Sequence, residues 1–195
     1  TEKPDVIVPI LTSASVNYSN GLVRLQFSEI VDKTPRSMVT LPNLLLLDVS
    51  QRFGGGNDAL KYVDFSGATF VEQDGSIINI MLPESKRAIA IRFSGVSGGD
   101  VGDARLDINS GAVHDIALNN IAEQWNFVIT EYPDIITPTI LNVTLNYGNG
   151  ELVIKTSETC DPATLVTNLI SLFNDTGQYV SLSLSYVVPI RTPSL

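Results

Sequence analysis

The chain has 195 residues, of which 12 are basic and 21 acidic, giving a formal net charge of −9. Nucleic acid is therefore a poor partner, because phosphate contacts need clustered Lys and Arg, whereas an acidic surface favours solubility and attracts cations. Apolar residues make up 44%, enough for a packed core and too many for disorder, and no run of 18 apolar residues is present to cross a membrane as a helix.

The first regular element is a hairpin. Ala14, Val16 and Tyr18 alternate with polar residues, Val23, Leu25 and Phe27 do the same, and Ser19-Asn20-Gly21 lies between the two runs. Asn and Gly tolerate the positive φ that a tight turn between antiparallel strands requires. Period-two patterning predicts further strands over 44–49, 62–65, 69–73, 77–82, 88–93, 104–108 and 126–130. Turn signals separate them at Gly54–Asp58, Asp74-Gly75, Pro83-Glu84-Ser85 and Ser97–Asp100. Short strands joined by Gly-rich turns point to an all-β sandwich. A short helix is expected over 162–168, capped by Asp161 with Pro162 in its first position, and a weaker equivalent over 33–38.

At Thr130 the sequence starts again. Thr1-Glu2-Lys3-Pro4-Asp5-Val6-Ile7-Val8-Pro9 returns as Thr130-Glu131-Tyr132-Pro133-Asp134-Ile135-Ile136-Thr137-Pro138, and residues 1–32 share 13 identities with 130–161 at a constant offset of 129. The hairpin pattern recurs with it, in Val143, Leu145 and Tyr147, then Gly148-Asn149-Gly150, then Leu152 and Ile154. A fixed period is the mark of an array in which one structural unit is copied along the chain. Residues 1–129 are accordingly read as one complete unit and 130–195 as the first half of a second, completed by further sequence or by another chain through strand addition. Pro133 and Pro138 predict a stiff junction. Because Thr1 matches Thr130 within the array, the start reads as a cut through a longer protein.

Two segments carry a family resemblance. Phe27-Ser28-Glu29-Ile30-Val31-Asp32 resembles the Phe-Ser-Glu-x-Val-Asp segment of the bacterial Ig-like repeats of S-layer and other surface proteins. Gly111–Ala122, with His114-Asp115-Ile116-Ala117-Leu118-Asn119-Asn120, resembles the Asp-x-Ala-Gly-Asn segment before that family's last strand. Leu118 stands where the family has Gly, which predicts a rebuilt turn. The resemblance implies tandem Ig-like β-sandwich repeats in an extracellular or cell-surface setting, and no activity.

Few residues carry the pattern of a chemical site. Asp100, Asp103 and Asp115 offer hard oxygen ligands of the kind calcium takes, at a spacing that matches no EF-hand loop, while Asp107 falls within a predicted strand. His114 is the single histidine and Cys160 the single cysteine; far apart in sequence, they form no evident nucleophile–base pair, and no enzymatic role is expected. Cys160 aligns with Val31 and is expected as a small buried hydrophobe. The single Trp125 is expected in core packing. Asn17, Asn142 and Asn174 begin N-glycosylation sequons, relevant in a eukaryotic source.

The function expected is that of a structural segment in a long surface array forming a filament, layer or stalk. Its partners would be adjacent repeats or copies of itself. The second expectation is an adhesin-type binding module recognising a glycan or a protein, with calcium as the one cofactor to consider.

Overall fold

In the computed structural model, described over residues 2–48, 62–100, 102–173 and 175–181, the chain is mostly β-strand arranged in several sheets. It divides into two compact units, Thr1–Thr137 and Pro138–Leu195. The predicted turn at Gly54–Asp58 and the sequon at Asn174 lie outside the described residues.

Unit 1 begins with the expected hairpin, β1 (Leu11–Asn17) and β2 (Leu22–Asp32). Side chains build its turn. Asn17 Oδ1 accepts from the Ser19 amide at 2.9 Å, Asn20 Oδ1 accepts from the Leu22 amide at 3.0 Å, and Gly21 takes φ 74°. Next come β3 (Leu44–Asp48), β4 (Tyr62–Asp64), β5 (Thr69–Phe70) and β6 (Gly75–Met81), then helix α1 (Glu84–Arg92). The unit ends with β7 (Ala104–Ile108), β8 (His114–Asp115), β9 (Gln124–Val128) and β10 (Thr130–Tyr132).

One sheet has the order β10-β1-β2-β6-β5, with β8 also on β2, and the other has the order β4-β3-β7-β9. All pairings are antiparallel except that of β1 with β10. Alternation along the strands sends Val16, Tyr18, Leu25, Ile78 and Ile80 of the first sheet, and Leu44, Leu46, Leu106 and Ile108 of the second, into one shared core. Burial of these large side chains is the main stabilising contribution, on the order of 2 kcal/mol each.

Residues 88–93 are not a strand. Residues 88–92 belong to α1 and Phe93 follows as its C-cap, and the reason lies in the inward positions: Arg87, Ala90 and Ser94 are buried, with Pro83 and Ile91 half-buried beside them, a spacing of three and four residues. Alternation of Ala and Ile over the four positions 88–91 fits either period, and the alanines with Glu84 in the first turn favour the helix.

Unit 2 repeats the hairpin as β11 (Ile140–Asn146) and β12 (Glu151–Thr156). Asn146 and Asn149 cap the turn at 2.9 and 3.0 Å, Gly150 takes φ 74°, and the register irregularity after Leu11 recurs after Ile140. Asp161 caps a 3-10 turn over Pro162–Thr164, its Oδ1 accepting from the Ala163 amide at 2.9 Å. A second small hairpin pairs β13 (Ser171–Phe173) with β14 (Tyr179–Ser181).

The two hairpins differ in cover. Tyr18 is 0% exposed whereas its counterpart Tyr147 is 91% exposed, and none of the described residues of unit 2 is buried. Cys160 is exposed for the same reason, against the expectation of a buried thiol, although its counterpart Val31 is fully buried.

Candidate functional site

The most elaborate polar assembly of unit 1 surrounds the segment Thr130–Asp134. β10 lies parallel to β1, with Asn17 opposite Tyr132, and the Tyr132 carbonyl accepts from the Tyr18 amide at 3.0 Å. Glu131 reaches into the unit. One of its carboxylate oxygens accepts from the buried Tyr18 hydroxyl at 2.6 Å, and the other accepts from the backbone amides of Gly95 and Ala104, each at 3.2 Å. Burial, reinforced by the Glu131 carboxylate, pushes the Tyr18 hydroxyl far above its ordinary pKa, so it remains a donor.

Asp134 is held by Arg87, a buried guanidinium on α1. Its Nη1 donates to Asp134 Oδ2 and to the Tyr18 carbonyl, each at 2.6 Å, while Nε and Nη2 make a two-pronged pair with Glu84. Ser19 completes the assembly: its hydroxyl donates to the Pro133 carbonyl and accepts from the Ile135 amide. A Cβ at Gly95 would come within 2.8 Å of the exposed Asp103 carboxylate and 3.3 Å of the Glu131 carboxylate, so a larger residue there would have to displace those side chains. The segment is thus a clasp. It adds an edge strand to the first sheet and sets two carboxylates among the Tyr18 hydroxyl, the Arg87 guanidinium and the Gly95 and Ala104 amides, bonds to charged groups that are stronger than neutral ones.

A second assembly precedes β1. Asp5, Glu29 and Asp115 place carboxylate oxygens within 4.8 Å of one another. Asp115 is buried, and its two oxygens accept from the Asn119 amide and side chain at 2.8 and 2.7 Å. The Asn119 side chain also donates to the Asp5 and Ile7 carbonyls, tying the start of the chain to this loop. Glu29 Oε1 is buried and, among the described residues, has no hydrogen-bond partner. Desolvation first, then the charges of Asp115 and Asp5, raise the Glu29 carboxyl above its ordinary pKa. Three hard oxygen donors so close could hold a divalent cation.

The structure does not bring together the three calcium candidates read from spacing. Among the described residues, Asp115 groups with Asp5 and Glu29, not with Asp100 and Asp103. Asp100 accepts from the Gly102 amide, and Asp103 lies beside Arg105 with 65% of its side chain exposed. The signal missed was chain topology: β8 pairs with the end of β2, which brings Asp115 to Glu29 across a sequence separation of 86.

Other singled-out residues take structural places. His114 Nδ1 faces the Met38 carbonyl at 3.1 Å. Asp107, in β7, accepts from the Asn126 amide at 2.6 Å where β9 bulges. Trp125 is 63% exposed on β9 and does not pack in the core. Asn17 spends its side-chain oxygen on the hairpin turn, while Asn142 is exposed. No helix among the described residues is long and apolar enough to cross a membrane. No protein-family model matches the chain, and no curated protein or solved structure matches it.

Proposed function

We propose that the chain is a segment of a tandem array of Ig-like β-sandwich repeats in a long extracellular or cell-surface protein, serving as a filament, surface layer or stalk. One observation carries this reading: β10, which completes the first sheet of unit 1, is encoded by the opening residues of the second sequence repeat. A unit finished by the start of its successor suits a continuous array.

The role is mechanical. β1 and β10 are the first and last strands of unit 1, and they are parallel neighbours. Tension on the chain before β1 and after β10 therefore shears their hydrogen bonds together instead of peeling them singly, while Glu131 and Asp134 anchor the same segment by side-chain bonds. Copies of itself or adjacent repeats are the natural partners, and the acidic cluster is where calcium would stiffen the head of a unit.

Electron microscopy of the native protein, with and without calcium, tests the proposal. Filaments or sheets with a regular repeat are expected; separate flexible monomers would refute it. The exposed Trp125 favours the adhesin-type reading as the alternative. In that case a glycan screen would give binding that Trp125→Ala abolishes.

A further inference from the structure

The chain contains two clasp sequences, of which one is used within it. Thr130-Glu131-Tyr132-Pro133-Asp134 and Thr1-Glu2-Lys3-Pro4-Asp5 differ only at Tyr132 and Lys3. That difference falls at a solvent-facing position, since Tyr132 is 52% exposed. The two residues that enter the socket, Glu131 and Asp134, are matched by Glu2 and Asp5. Local shape matches too: Asp134 Oδ1 accepts from the Ile136 amide at 3.0 Å, and Asp5 Oδ1 accepts from the Ile7 amide at 3.0 Å. Yet Glu2, Lys3, Pro4 and Asp5 are exposed and belong to no strand.

We infer that Glu2–Asp5 is a clasp for a second copy of this repeat, pairing beside that copy's first strand with Glu2 on its Tyr18–Gly95–Ala104 donors and Asp5 on its Arg87. Charge complementarity favours this partner. Asp5 lies within 4.8 Å of the Glu29 and Asp115 oxygens, so a guanidinium arriving at Asp5 meets a concentrated negative field. The inference deepens the array reading and rests on it for the existence of a second socket; recognition itself is measured independently of any polymer.

Two measurements on the full chain test it. Tyr132→Lys turns residues 130–134 into a copy of residues 1–5. Its melting temperature is expected within about 2 °C of the parent, a shift well under 1 kcal/mol for a unit of this size. A fall of more than about 5 °C would show that the first clasp does not fit the socket. In the second, fluorescent peptides of residues 1–9 and 130–138 are titrated onto the Glu131→Ala/Asp134→Ala double variant. Both are expected to bind, with dissociation constants within about tenfold of each other. The 1–9 peptide carrying Glu2→Ala and Asp5→Ala should bind at least about tenfold more weakly. Binding of the 130–138 peptide alone would overturn the inference. Binding of neither would also overturn it, by showing that the clasp works only through covalent continuity.

Discussion

Leu118 holds φ 67° on the surface of unit 1 with 60% of its area exposed. The turn it sits in is tight, its amide donating to the Asp115 carbonyl at 3.1 Å. The turn is not rebuilt to suit a side chain; Leu accepts the left-handed conformation instead. That conformation costs a non-Gly residue on the order of 1–2 kcal/mol, while Gly costs about 0.5–1 kcal/mol in unfolded-state entropy. Leu118→Gly should therefore stabilise unit 1 by about 0.5 kcal/mol, visible as a higher urea midpoint at unchanged slope. Glu131 is the opposite case. Glu131→Ala strands a buried tyrosine hydroxyl and two amides, so a loss of about 2–3 kcal/mol is expected from the values typical of bonds to charged groups. Urea unfolding followed by the fluorescence of the single tryptophan would measure it.

Between elements, α1 is fastened to the turn after β4 by Lys86, whose ammonium donates to the Asp64 carboxylate, the Asp64 carbonyl and the Ser66 hydroxyl. The hydrogen bond from Lys86, followed by that from Ser66, lowers the Asp64 pKa from 3.8 to about 2. A depressed carboxyl stabilises the fold above its unfolded pKa and loses that contribution as pH falls through the folded one. The fastening should thus be intact above about pH 4 and gone near pH 2. Because Asp64 is one-third exposed, its worth is screened to about 0.5–1 kcal/mol. Lys86→Met should cost more at pH 7 than at pH 2 by that amount, in paired urea titrations, the bonds to the Asp64 carbonyl and Ser66 hydroxyl being independent of pH. The same region shows where the sequence was legible. Asn-Gly turns between alternating runs specify both hairpins, since few backbones satisfy them, and β7 lies where alternation placed it. The alternating Ala and Ile of α1 carry no such turn and fit two periods equally. Trp125 and Asp115 depend on contacts between elements far apart in sequence, which no local pattern encodes.

At the scale of the molecule, the sequence repeat and the folded unit are out of step. The repeat restarts at Thr130, yet unit 1 extends to Thr137 and uses β10 and Asp134. A chain ended after Ile129 should lose more than about 5 kcal/mol, the sum of several bonds to charged groups, and its melting should broaden. A chain ended after Thr137 should melt cooperatively near the temperature of unit 1 in the whole chain; calorimetry separates the two. The offset also bears on how an array of this kind can change length. In the array proposed above each copy would open with the segment that its predecessor requires, so duplication or deletion of any whole 129-residue period would leave every internal unit with a closing strand, whichever point the breakpoints occupy. Copy number can then drift without passing through an unfolded intermediate, and only the last copy must find another means of closure.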